Sequence, residues 1–255
     1  MSDFDRNFAT VRPGYRTDVA IDAGLRAYMI RVYNYMASGV ALTGVMAWLT
    51  YQAAGGDAIQ IAGGRISGLT AFGQAIFSGP LTIVLLLGTL GLVFFMSYRI
   101  NRLSVGSALS LFFIYAGLLG LALASVFLQY TGASITRVFF ISAATFGATS
   151  LYGYTTQRDL TGVGSFMFMG LIGIVIASLV NIFLKSSGLD WAISVIGVLV
   201  FVGLTAYDTQ RIKEMYSVQD DGTVAGRKAV MGALSLYLDF INLFLMLLRI
   251  FGDRR

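Results

Sequence analysis

The chain has 255 residues, 56% of them hydrophobic and 12% charged, and a mean hydropathy of +0.75, whereas a soluble domain carries roughly 25% charged residues. Cysteine and histidine are both absent, which excludes disulfides, thiolate nucleophiles, haem ligation, the usual zinc sites and an imidazole proton switch. The formal charge of +5 comes from basic residues standing singly at the ends of apolar runs. Nucleic acid is therefore not an expected partner, and the lipid bilayer is.

The first residues, MSDFDRNFATVRPGYRTDVA, are polar and of mixed charge. They lack an apolar h-region and a small-residue cleavage site, so no removable signal is expected. Residues 1–24 read as a polar cytoplasmic tail and residues 25–255 as a single transmembrane bundle domain. Seven apolar runs follow: Tyr28–Tyr51, Leu81–Tyr98, Val105–Tyr130, Val138–Tyr154, Phe166–Phe183, Ala192–Tyr207 and Val230–Phe251. Each approaches the length a helix needs to cross a ~30 Å hydrocarbon core. The runs are continuously apolar, without the alternation of a lipid-facing strand. The expected fold class is all-α, a polytopic membrane bundle of seven transmembrane helices.

Tyr and Trp cluster at run ends, among them Trp48, Tyr51, Tyr98, Tyr130, Tyr152, Tyr154, Trp191 and Tyr207, where amphipathic rings favour the headgroup level. Ala116 with Gly120, Ala143 with Gly147 and Gly173 with Ala177 offer small residues for close helix contact. The connection from Gln52 to Pro80 contains GGDAIQIAGG and reads as a flexible loop with no catalytic site. Arg6, Arg12, Arg16, Arg26 and Arg31 precede or enter the first run, and Arg211, Lys213, Arg227 and Lys228 fill the sixth connection. Arg65, Arg137 and Lys185 stand alone in alternate connections. The positive-inside rule then puts the N-terminus and the even-numbered connections in the cytoplasm. A re-entrant last segment would return Arg254 and Arg255 to that side, and a full crossing would not.

Of the 13 acidic residues, Asp208 and Asp239 stand out, because they lie within or at the inner end of apolar runs, in GLTAYDTQRIK and ALSLYLDFINLF. A carboxylate at membrane depth costs on the order of 2.5–3.5 kcal/mol even on permissive insertion scales, so it persists only if paired, protonated or wet. Ser235, Asp239 and Asn242 share one helical face, with Arg249 further along nearly the same line, and Thr205, Asp208 and Arg211 share another. The two runs form an antiparallel hairpin, which sets the acids at comparable depths. Neighbouring carboxyls titrate as one coupled unit, a proton-sensitive element built without histidine. The second run also ends on that face of the membrane, at FFMSYRINRL, which places Arg99 and Arg102 where a guanidinium paired with ionised Asp208 would be released by protonation. Simple boundary roles for these arginines, for Arg211 and for Arg249 stay open.

The segments GLTAYDTQRIKEMY and GALSLYLDFINLFLMLLRIFG resemble the C-terminal signature of the transmembrane Bax inhibitor motif family. That resemblance implies a seven-helix bundle in the bacterial cell inner membrane, acting as a pH-sensitive calcium leak and, in bacteria, associating with a membrane-bound ATP-dependent protease. By motif it implies that Asp208 in AYDTQ and Asp239 in YLDFIN form the proton sensor and line the calcium pathway. In some members of that family an arginine at the end of the second helix is a latch, which implies Arg99 or Arg102 in SYRINRL here; Thr205, Arg211, Ser235 and Asn242 are supporting polar residues by their shared helical faces.

Carboxylate and amide oxygens are hard ligands suited to calcium, and two acids alone make a weak site, as conduction requires. No cofactor and no enzymatic activity are expected. Two other classes compete. An intramembrane aspartyl protease also needs two acids sharing a proton, but the second acid here sits in LYLD without a flanking glycine, and no Pro-Ala-Leu segment exists. An interaction protein that modulates a membrane protease would use the acids for packing alone.

Overall fold

A computed structural model of the chain describes residues 13–62, 65–79 and 81–255. Nine α-helices account for nearly all of it: α1 (Pro13–Ala53), α2 (Ala71–Ser78), α3 (Leu81–Arg99), α4 (Val105–Leu123), α5 (Ser125–Gln129), α6 (Gly132–Thr155), α7 (Thr161–Leu184), α8 (Ser187–Glu214) and α9 (Gly222–Phe251). Helix starts carry side-chain caps. Thr70, Ser104, Thr131 and Ser186 each accept an N–H three residues on, and Asp221 accepts those of Thr223 and Val224 at 2.8 and 2.7 Å.

Five helical segments among the described residues are long and apolar enough to cross a membrane: Ile83–Arg102, Val105–Gln129, Thr161–Leu184, Ser187–Glu214 and Gly222–Phe251. The expected count of seven reaches two more long helices, α1 and α6. These carry more hydroxyl, Asn, Tyr and Arg side chains, as in RVYNYMASG and GASITRVFF, and so fall below the apolarity of the other five. The third run is not one helix either, since the chain breaks at Ala124 between α4 and α5. α1 begins at Pro13, inside the stretch read as the tail; Arg6 and Arg12 lie outside the described residues. The Gln52–Pro80 connection contains a 3₁₀ turn (Gly56–Ala58), an antiparallel pair β1 (Gln60–Ala62) and β2 (Arg65–Ser67), and α2. A flexible loop was expected there. Gly55, Gly56 and Gly68 hold the positive φ angles its turns require.

α9 is the central helix. It packs against α1, α4, α6 and α8, and its Tyr237, Leu236 and Leu243 are wholly buried. The Tyr237 hydroxyl hydrogen-bonds Thr43 Oγ1 at 2.6 Å, and Thr43 in turn donates to the Ala116 carbonyl at 2.9 Å, so three helices share one polar knot. Close approach comes from small residues, as expected for a bundle without a hydrophobic driving force. A Cβ on Gly120 would sit 2.7 Å from the Thr43 carbonyl oxygen, and one on Gly153 would sit 2.2 Å from that of Ala206. Gly147 and Gly173, also expected at helix contacts, have open space beside them. α7 presents its large apolar residues, such as Phe166, Ile176 and Phe183, outward.

The bundle has two distinct ends. At the proximal end, where α1 begins, side chains of α8 and α9 hold the connections. Gln210 accepts from the Leu160 N–H and donates to the Arg158 carbonyl, Lys213 donates to the Tyr154 carbonyl, Arg227 donates to the Asn101 and Leu103 carbonyls, and Lys228 bonds Asp220 and the Met215 carbonyl. These cations sit where helix carbonyls lack intrahelical partners. At the distal end the tail after α9 pairs with the α5–α6 connection. Thr131 N–H donates to the Asp253 carbonyl, Arg255 N–H to the Gln129 carbonyl, and Arg255 also reaches the Tyr51 hydroxyl at 2.9 Å. Arg137 makes a 2.9 Å ion pair with Asp253. Tyr51 and Tyr130 are buried at this end.

α9 is thus one continuous helix and not a re-entrant segment, and it leaves the chain end opposite the start of α1. The absence of native cysteine makes this directly testable. A membrane-impermeant thiol reagent is expected to label Val218→Cys and Arg254→Cys from opposite sides of sealed vesicles; labelling of both from one side contradicts the arrangement.

Candidate functional site

The register of the α8–α9 hairpin follows from its two closest contacts. A Cβ on Gly232 would meet Ile212 at 3.0 Å, and one on Gly197 would meet the Met246 sulfur at 2.8 Å. In an antiparallel pair locked at these points, Asp208 comes opposite a position about one helical turn before Asp239. The two acids therefore belong to one level of the bundle and line the same cavity of about 570 Å³.

Three helices wall this cavity: α7 with Gly164, Ser165, Phe168 and Leu171, α8 with Phe201, Leu204, Tyr207, Asp208 and Arg211, and α9 with Ser235, Leu238, Asp239 and Asn242. α7 packs along α8 and makes no extended contact with α9, so the cavity fills the gap between α7 and α9. Asp239 is 6% exposed, and its Oδ2 has no hydrogen-bond partner among the described residues. Asp208 is half-buried and Arg211 exposed, so the cavity grades from an apolar floor to a charged rim towards the proximal end. Asp208 lies near enough for its charge to act on Asp239, and the Arg211 guanidinium acts on Asp208. Among the described residues no cation forms an ion pair with either carboxylate.

Of the residues singled out in the sequence, Asp208, Asp239, Arg211, Ser235 and Asn242 are brought together. Asn242 is turned by its own helix, its amide donating to the Leu238 carbonyl at 2.8 Å. Thr205 is fully buried, donates to the Phe201 carbonyl at 2.7 Å and lies off the cavity wall. Arg99 and Arg102 are exposed at the end of α3 and do not reach the cavity. Arg249 lies at the distal end beside Asp190, at 3.5 Å.

The α7 wall was not foreseen. Its one sequence signal is the glycine in TGVGSF. A Cβ on Gly164 would stand 2.4 Å from the Tyr207 ring, so this glycine lets the ring lie flat on the α7 backbone. Tyr207, expected at the membrane boundary, lines the cavity.

A buried carboxyl without a partner is held at a cost to the fold, on the order of 1–3 kcal/mol for an unsatisfied polar group. Asp239→Leu, close in size and apolar, is expected to stabilise the purified chain by about 1 kcal/mol or more. Thermal unfolding in detergent checks this, and a clear loss of stability would show that the carboxyl has a structural partner.

Comparison with known proteins adds a lineage to this geometry. A family model described as Inhibitor of apoptosis-promoting Bax1 matches residues 25–255. The inner membrane protein YbhL of Escherichia coli K12 is 46% identical over 258 residues, covering 100% of both chains. An uncharacterised protein of Rickettsia prowazekii is 50% identical over 234 residues, 92% of each chain. An uncharacterised membrane protein of Streptococcus pyogenes is 38% identical over 91% of this chain and 94% of its own.

Proposed function

The chain belongs to the Bax inhibitor family whose model spans residues 25–255, and from that premise we propose that it is a pH-sensitive cation leak gated at the Asp208–Asp239 cavity. The observation that carries this reading is the buried, unpartnered Asp239 carboxyl on the wall of a cavity it shares with a second acid. A carboxylate so placed exchanges its proton for a cation readily, since either one neutralises it. Calcium is the cation proposed: the carboxylates, Ser235 and the Asn242 carbonyl are hard oxygen donors. They are too few to trap the ion, which suits conduction.

Passage towards the distal end runs past the buried Phe201 on the cavity wall and Met246, which packs against Gly197 between α8 and α9, and opening requires these to part. Seven helices cross the membrane in this reading, α1 and α6 with the five more apolar segments. The printed name of the Escherichia coli relative supports an inner-membrane location, and the arginine-rich start of the chain supports a cytoplasmic proximal end. A second reading is association with a membrane-bound ATP-dependent protease. It draws on the outward apolar faces of α3 and α7, with Leu86, Phe94, Phe166 and Ile182 exposed, which give a partner helix room to pack.

Calcium flux into liposomes carrying the native chain is expected to vary with pH, and Asp208→Asn and Asp239→Asn are each expected to remove most of that variation. Unchanged pH-dependent flux in both variants rejects the gate. Absence of flux in the native chain, with a protease still co-purifying, favours the interaction reading. Cleavage of a membrane peptide lost in both variants would point to a protease.

A further inference from the structure

At the distal end, away from the acid pair, a second polar cavity of about 460 Å³ opens at the turn between α7 and α8. Lys185, Arg249 and Arg254 converge on it from three segments, the end of α7, α9 and the tail, together with Asp190, Trp191 and Asn181. Asp190 holds the two guanidinium groups at 3.5 and 3.7 Å, longer than a tight charge-assisted pair. Three cations against one carboxylate leave an excess of two positive charges in one small volume. Like charges so gathered repel one another unless an anion completes the set.

The backbone gives an independent sign. Lys185 is the C-cap of α7 with φ 49 and ψ 35, and it is the one non-glycine residue with positive φ among the described residues. Glycine is the usual occupant of this left-handed helix-ending position, because a side chain there is strained. Here the strain persists with a cationic side chain directed to the cavity, as at sites where function holds a backbone in place. The start of α8 adds the positive end of its dipole, with Ser186 and Ser187 on the wall.

The rim is apolar. Phe183, Leu184 and Trp191 beside it are 86%, 63% and 62% exposed, outward apolar and aromatic side chains of the kind that suit a helix end at the headgroup level. We propose that this cavity binds the phosphate of an anionic phospholipid in the leaflet at the distal end. Arg249 and Arg254 would take the phosphate oxygens as planar forks and Lys185 as a point charge, while the acyl chains descend along Phe183 and Leu184. The site does not depend on the reading of the acid pair.

Native mass spectrometry of the delipidated full chain in detergent, titrated separately with phosphatidylglycerol, phosphatidylcholine and inorganic phosphate, tests this. The native chain is expected to bind one phosphatidylglycerol in clear preference to phosphatidylcholine. Lys185→Gly relieves the strained backbone, so it is expected to unfold no more readily than the native chain yet to bind that lipid about fivefold more weakly. Adding Arg254→Gln is expected to bring the loss to about thirtyfold, as two lost cations at a membrane surface imply, and Arg254→Lys, which keeps the charge and loses the fork, to fall between the native chain and Arg254→Gln. Equal phosphatidylglycerol affinity in the native chain and the double variant overturns the site. Inorganic phosphate that displaces the lipid at comparable concentration overturns the lipid assignment in favour of a soluble anion.

Discussion

A carboxyl group buried in a membrane protein with nothing to bond is the constraint around which this bundle is arranged. Asp239 sits on the most buried helix, and the neighbouring positions Tyr237, Leu236 and Leu243 are wholly enclosed. The fold cannot turn the acid outward without turning those residues outward too, since α9 is rigid and its register is fixed by Gly197 and Gly232 against Met246 and Ile212. The packing of the whole helix therefore holds one unfavourable group in place. Such placement is typical of groups retained for what they do and not for the stability they add.

The surrounding contacts divide the bundle into a fixed part and a part with fewer ties. α8 and α9 hold the proximal connections through Gln210, Lys213, Arg227 and Lys228, and the tail ties the distal end of α9 to α1 and α6 through Arg255, Asp253 and Arg137. α7 stands apart. Among the described residues its extended contact is with α8, and it forms a wall of the cavity that α9 does not brace. A movement of α7 changes the width of the gap in front of Asp239 without breaking the hydrogen bonds between the remaining helices. The glycine at position 164, which seats the Tyr207 ring against α7, is where such a movement would first be felt.

The sequence made part of this readable. Two acids in otherwise apolar runs, spaced so that Ser235, Asp239 and Asn242 share a face, pointed to the cavity because helical periodicity and the cost of burying charge are local rules. Helix identity was readable for the same reason, while several helix ends were not: α1 starts at Pro13 and α9 at Gly222, well before the apolar runs that begin at Tyr28 and Val230. What escaped was set by tertiary neighbours. Gly120 and Gly173 look alike in sequence, yet one meets a backbone carbonyl at 2.7 Å and the other meets nothing, because only the fold decides which face of a helix looks to lipid. The α7 wall comes from residues some forty to seventy positions from the acids. The two arginines of SYRINRL, plausible by membrane side alone, stand exposed at the end of α3. The course of the last segment was undecided in the sequence, where a full crossing and a re-entrant helix have the same composition; within the bundle α9 is continuous and the tail after it pairs with Tyr130 at the distal end.

The most direct measurement of the central claim is pH-difference infrared spectroscopy of the lipid-reconstituted chain with isotopically labelled aspartate, which follows the carboxyl stretch of each acid. Coupling through one cavity requires that Asp208→Asn alter the titration of the Asp239 band and that Asp239→Asn alter that of Asp208. Two bands that titrate unchanged when the other acid is removed would mean that the carboxyls do not act as a pair, and the gate described here would not exist.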